Sequence, residues 1–116
     1  MIADDSDAIR MVLKDILTIG KHECIAEASN GIETVEQFKK TDPDIILLDM
    51  AMPKKDGLSV LKEIMGFKPA AKIIMITASD SIVTMRECIK EGAAAYILKP
   101  FNFEDVLKRI SIVLNQ

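Results

Sequence analysis

The sequence predicts an α/β fold: a doubly wound, five-stranded parallel sheet of flavodoxin-like order 2-1-3-4-5, with helices on both faces. Three observations lead there. Apolar segments of strand length alternate five times with segments of helical periodicity, joined by short loops, which calls for parallel strands and crossover helices. Two of these segments, Ile45 to Leu48 and Ile73 to Ile76, contain no polar residue, as strands buried on both faces require. The competing Rossmann-like half needs GxGxxG between the first strand and first helix. The residues there are Asp4, Asp5 and Ser6, without a glycine.

Met1 to Ala3 reads as the end of a first strand. Ile9, Val12, Leu13, Ile16 and Leu17 recur at helical spacing and mark one face of a first helix, with Ser6 or Asp7 as N-cap and Gly20 past its end. Glu23 to Ala28 is a second strand, the weakest pattern of the five. Ser29 to Gly31 turn into a second helix with Ile32, Val35 and Phe38 inward, stopped by Asp42 and Pro43. Ile45 to Asp49 is the third strand. After the loop Pro53 to Asp56, Gly57 precedes a third helix with Leu58, Leu61, Ile64 and Met65 inside, and the segment with Pro69 ends it. Lys72 to Thr77 is the fourth strand, and a fourth helix carries Ile82, Met85 and Ile89. Ala95 to Leu98 is the fifth strand, cut off by Lys99 and Pro100. The last helix presents Phe103, Val106, Leu107, Ile110, Val113 and Leu114.

A chain of 116 residues is one domain with a modest core, and 49% apolar with 28% charged residues marks it as folded. A net charge of −3 without a block of Lys or Arg argues against nucleic acid as a partner. No apolar run approaches the roughly 18 residues of a membrane span. With no signal pattern at the start either, a soluble cytoplasmic protein without membrane contact is expected. Cys24 and Cys88 lie far apart and read as small buried hydrophobes, not as a disulfide or zinc pair. His22, the only histidine, falls in a polar turn and leaves no basis for triad chemistry.

The chemistry gathers at one edge. Open α/β sheets place their ligands at the carboxyl ends of their strands. Here the ends of strands one, three, four and five carry Asp4 and Asp5, Asp49, Thr77 and Lys99. Each has a plain reading alone: helix capping for the acidic pair, a turn for Asp49, a strand-end hydroxyl for Thr77, a solvated Lys99. Their joint placement favours a site. Two carboxylates about 4 Å apart repel by roughly 4 kcal/mol at an effective dielectric near 20, so three need a cation or a raised pKa. An all-oxygen set suits Mg²⁺ or Mn²⁺ and not zinc. Asp4, Asp5, Asp49 and a backbone carbonyl beyond Asp49 would hold it. This is a layout for phosphoryl transfer to a carboxylate: Asp49 as nucleophile, with the metal, Lys99 and Thr77 taking the three phosphoryl oxygens.

The motifs that carry these residues are DDS at Asp4 to Ser6, LLDMAMPKKDG around Asp49, ITAS at Ile76 to Ser79 and YILKPF at Tyr96 to Phe101. From Ile2 to Leu114 the chain resembles a response-regulator receiver domain of the CheY type. That family itself exemplifies the 2-1-3-4-5 order, so the resemblance is no independent argument for it. The resemblance implies that Asp49 accepts a phosphoryl group from the phosphohistidine of a CheA-like sensor histidine kinase. It implies that Asp5 binds Mg²⁺ directly, Asp4 largely through water, and that Ala51 lends a backbone carbonyl. Thr77 and Lys99 would bind the phosphoryl group, and Lys99 would precede a cis bond to Pro100. Tyr96 would be the switch aromatic, turning inward when Thr77 moves toward the phosphoryl group. Read from the residues alone, Tyr96 is a strand tyrosine with its ring on the core and its hydroxyl in water. The protein would be a phospho-accepting switch that promotes its own phosphorylation and dephosphorylation, and not an enzyme acting on a separate substrate.

DSDAIRMVL at Asp5 to Leu13, with Arg10, and EASNG at Glu27 to Gly31 look more like chemotaxis receivers than transcription-factor receivers. Helix four, strand five and helix five would then form the output surface, meeting a motor component or adaptor, with the protein a monomer. The alternatives are a receiver excised from a larger regulator such as a chemotaxis methylesterase, and a phosphorylation-independent scaffold. A haloacid-dehalogenase-like phosphatase would need a second Asp two residues after Asp49, where Ala51 stands. Residues 1–116 are expected to be one receiver domain whose first strand, with only Met1 to Ala3 before the acidic pair, is truncated relative to the family pattern and leaves core unfilled. Ala51 and Ser79 are both small, which is expected to leave a water path to the phosphoryl group open.

Overall fold

The computed structural model describes all 116 residues. Five strands, β1 (Ile2–Ala3), β2 (Glu27–Ala28), β3 (Ile46–Leu48), β4 (Ile73–Thr77) and β5 (Ala95–Leu98), pair in parallel in the order β2-β1-β3-β4-β5. They alternate with α1 (Asp7–Ile19), α2 (Gly31–Thr41), α3 (Gly57–Phe67), α4 (Ile82–Lys90) and α5 (Phe103–Leu114). The expected fold class and strand order hold.

The unbroken apolar runs follow from the pleat. Successive strand side chains point to opposite faces. Ile46, Leu48, Ile73 and Met75 enter one core with Val35, Phe38, Val60, Leu61, Ile64 and Cys88. Leu47, Ile74 and Ile76 enter the other with Leu13, Ile16, Leu17, Val106, Ile110 and Val113. Helices α2, α3 and α4 therefore cover one face, and α1 and α5 the other, so neither face of β3, nor of β4 before Thr77 at its end, carries a polar residue. Each helix starts on a side-chain cap: Ser6, Asn30, Asp56, Ser81 and Asn102 each accept a hydrogen bond from a backbone N–H three residues on. Such caps are worth about 1 kcal/mol each. They fix where every βα loop ends, on the side of the sheet where the acidic residues stand.

Several expectations need correction. The second strand is only Glu27–Ala28, because β1 offers only Ile2 and Ala3 to pair with it. In α4 the expected inner residues Ile82, Met85 and Ile89 are 60%, 38% and 49% exposed, and Cys88 alone is buried. The sheet lies under Cys88, about 100° round the helix from Ile89. Val12, Ile32 and Phe103 also face outward, and Cys24 is only half-buried. The two-residue β1 is itself fully buried, with the Met1 amino group donating to the Ile45 carbonyl at 3.0 Å. A cavity of about 180 Å³ lies at this amino-terminal edge, lined in part by Met1, Leu17, Leu47 and Leu114.

Candidate functional site

The carboxyl edge of the sheet is built by main-chain pairing. The Asp4 N–H donates to the Ala28 carbonyl at 3.1 Å, and the Asp49 N–H to the Ala3 carbonyl at 2.9 Å. Strands β1 and β3 thus carry the two acidic residues side by side, with β2 holding the first from its other side. On the other flank the Lys99 N–H donates to the Thr77 carbonyl at 2.8 Å, which sets the end of β5 against the end of β4. Asp4, Asp49 and Thr77 are 1%, 5% and 3% exposed; Asp5 is exposed.

Side chains then close the cluster. Asp4 Oδ1 accepts from the Ser6 N–H at 2.9 Å, and Asp4 Oδ2 accepts from Lys99 Nζ at 2.8 Å. Lys99 Nζ also stands 3.4 Å from Asp49 Oδ1, so one ammonium bridges two buried carboxylates. Thr77 Oγ1 accepts from the Ser79 N–H at 3.2 Å. Carboxylate oxygens of Asp4, Asp5 and Asp49 lie within 4.8 Å of one another. Burial raises the Asp49 pKa, the negative charge of Asp4 raises it further, and Lys99 only partly opposes this. For Lys99 burial pulls the pKa down, but the hydrogen bond to Asp4 and the charge of Asp49 outweigh it and the net shift is upward. The site therefore holds a lysine that stays charged and a buried carboxylate ionised at a cost.

The donor set fits a hard divalent cation. Three carboxylates offer only oxygen at close quarters, with one flank open at Asp5. Ala51, in the exposed loop two residues past Asp49, has a carbonyl that accepts no hydrogen bond within the chain. The neighbouring Met50 carbonyl is already taken by the Gly57 N–H at 2.7 Å. Gly57 is required here: a Cβ on it would sit 2.2 Å from the Asp49 carbonyl oxygen. The start of α3 thus rests directly on the backbone that carries Asp49.

All seven residues singled out in the sequence, Asp4, Asp5, Asp49, Ala51, Thr77, Tyr96 and Lys99, lie on or beside this edge. Tyr96 differs from the reading with a solvated hydroxyl: its ring packs on the first core and its O–H donates to the Ser79 carbonyl at 2.8 Å, two residues beyond Thr77. Burial raises its pKa. The Lys99–Pro100 bond is cis. Arg10 enters the sequence reading only through the chemotaxis-like DSDAIRMVL segment, with no role at this edge. Its guanidinium donates from Nη1 to the Asp4 carbonyl at 2.7 Å and from Nε to Glu27 Oε1 at 3.3 Å, and it also pairs with Asp7. The one hint in the chain was an arginine three residues after Asp7 on the helix that opens beside the acidic pair.

A parallel 2-1-3-4-5 sheet with an acidic cluster and a lysine at its carboxyl edge defines a class, and the comparisons give that class its family. Residues 1–111 match the family model described as response regulator receiver domain. The chain belongs to that family. It is 42% identical to the chemotaxis protein CheY of Thermotoga maritima, over 97% of this chain and 94% of the relative. It is 40% identical to the chemotaxis protein CheY of Bacillus subtilis, over 99% and 96%. The structure superposes at a TM-score of 0.94 on a chain of the CheX-CheY-BeF3-Mg complex from Borrelia burgdorferi, with 37% identity, covering 97% of this chain and 85% of that one. The chain is a CheY-like receiver domain of two-component chemotaxis signalling.

Proposed function

We propose that this receiver is a phosphoryl-accepting switch centred on Asp49. The observation that carries the reading is the cluster itself: three carboxylates with oxygens within 4.8 Å, two of them buried and bridged by Lys99. An Asp49 oxygen attacks the phosphorus of a kinase phosphohistidine, the P–N bond breaks, and the imidazole leaves with the electron pair and takes a proton. Asp4, Asp5, Asp49 and the Ala51 carbonyl would hold Mg²⁺, which would supply charge neutralisation for the transferring group. Lys99 stays charged and takes one phosphoryl oxygen. Thr77 donates its hydroxyl to another.

Drawing Thr77 toward the phosphoryl group moves the segment whose Ser79 carbonyl holds Tyr96. The change is thereby passed to the surface of α4, β5 and α5, where Ile82, Val83, Met85, Ile89, Leu98 and Ile112 are exposed. That surface is suited to a motor component or adaptor. A CheA-like histidine kinase is the donor. Residues 1–116 act as one receiver domain, a monomer working in the cytoplasm. No helix of the structure is long and apolar enough to cross a membrane.

The test is incubation with a small-molecule acyl phosphate and Mg²⁺, read by intact mass. The expected result is a gain of one phosphoryl group in the wild type, none in Asp49→Asn and none with a chelator. An unmodified wild type would turn the reading toward a phosphorylation-independent scaffold.

A further inference from the structure

We propose that Arg10 is a positioning residue for the divalent-cation site: it grips the peptide unit that joins Asp4 to Asp5 and so sets how the two carboxylates face Asp49. The inference rests on the metal-dependent reading above and adds a residue to it.

Asp4 is held at several points, by its N–H on β2, by Ser6 and by Lys99. Asp5 is exposed and has no such hold. Its place is set by the backbone between Asp4 and Ser6. A peptide unit is planar, so fixing the Asp4 carbonyl fixes the plane in which the Asp5 nitrogen lies. The side chain that fixes that carbonyl is Arg10, through Nη1 at 2.7 Å. Arg10 is itself anchored: its side chain is 15% exposed, Nε donates to Glu27 on β2, and it pairs with Asp7. The planar fork of a guanidinium can hold a carbonyl and a carboxylate in fixed directions together, which an ammonium cannot.

Charge and geometry predict opposite signs. Arg10 is a cation near a cation site, so by Coulomb's law alone its removal tightens metal binding. If Arg10 acts by orienting the Asp4–Asp5 peptide, its removal weakens binding. Outer partners of metal ligands are typically worth about 10- to 100-fold in affinity.

The experiment measures Mg²⁺ affinity of the full chain by calorimetry, and Mn²⁺ affinity by electron paramagnetic resonance, for wild type, Arg10→Met and Arg10→Lys. Thermal melts establish that each variant is folded. Arg10→Met keeps most of the stem; Arg10→Lys keeps the charge, so any loss in it is geometric. The expected result is affinity about 10-fold weaker in Arg10→Met and weaker than wild type in Arg10→Lys. Unchanged or tighter binding overturns the proposal, as does a lowered melting temperature with unchanged affinity. Should Arg10→Met not fold, Arg10→Lys decides alone. A wild type that binds neither ion overturns the metal reading itself, and that outcome is visible before any variant is made.

Discussion

Asp49 is a buried carboxylate beside a second one, and that has a cost the folded chain carries. Its pKa is raised in the folded state, first by burial and then by Asp4. A group with a raised folded pKa stabilises fully below its unfolded pKa, near 3.8, and that contribution is lost as pH rises through the folded value. At neutral pH without metal, Asp49→Asn is therefore expected to be more stable than wild type. The direct repulsion of two carboxylates at this separation is about 3 kcal/mol at a dielectric near 20, and Lys99 offsets part of it, leaving a gain of about 1–2 kcal/mol. Chemical denaturation with a chelator should show this gain, shrinking toward pH 3 and shrinking again in Mg²⁺. An equal stability at pH 7 would mean Lys99 fully compensates. Tyr96, the only tyrosine, offers a second titration. Burial raises its pKa, so tyrosinate absorbance should appear above pH 10 in the folded protein and nearer 10 when unfolded. By the same sign, stability it contributes below pH 10 is lost as pH rises through the folded value. At Ala51, exposed and with only a methyl side chain, a bulky replacement should slow loss of the phosphoryl group from Asp49, measured as the decay of phosphorylated mass.

Within a single helix, α3, two glycines make opposite predictions. Gly57 has no room for a Cβ, which would sit 2.2 Å from the Asp49 carbonyl, whereas Gly66 has nothing within 4 Å. Gly57→Ala should cost about 1–3 kcal/mol and disturb phosphorylation, because relief of the clash must move the backbone at Asp49. Gly66→Ala should stabilise by about 0.5–1 kcal/mol with no effect on the site, since it only removes backbone freedom from the unfolded chain. Paired denaturation curves check both. The same helices mark what the sequence could reveal. Strands β3 and β4 were legible because both faces are covered, so Ile45–Leu48 and Ile73–Ile76 had to be apolar throughout, and their ends were visible as the polar residues that follow. Helix α4 misled, because Ile82, Met85 and Ile89 form an apolar stripe that faces outward. Periodicity reports a stripe, not which side of it the sheet takes. The part Arg10 plays was not legible for another reason: its reach from α1 to the Asp4 carbonyl and Glu27 is a tertiary fact that no spacing encodes.

At the scale of the molecule, the two faces of the sheet are alike inside and the difference lies on the outer surface. Both bury full cores, yet exposed large apolar residues gather on α4 and on the flank of β5 and α5. Val83, 76% exposed, touches little of the fold. Val83→Lys should leave stability within about 0.5 kcal/mol of wild type while weakening capture of the output partner by the phosphorylated form, measured as affinity with the stability checked alongside. The bridge from Lys99 to Asp4 spans 95 residues of chain. Closing so long a loop is entropically slow and comes after the local turns and helices are made. During synthesis Asp4, Asp5, Asp49 and Thr77 all emerge before Lys99, so a nascent chain lacks the cation that balances its acidic edge until the fifth strand is released. A chain arrested before Lys99 would also lack α5, and with it Val106, Ile110 and Val113 of the second core, so the last segment made completes the acidic edge and the packing beneath it together.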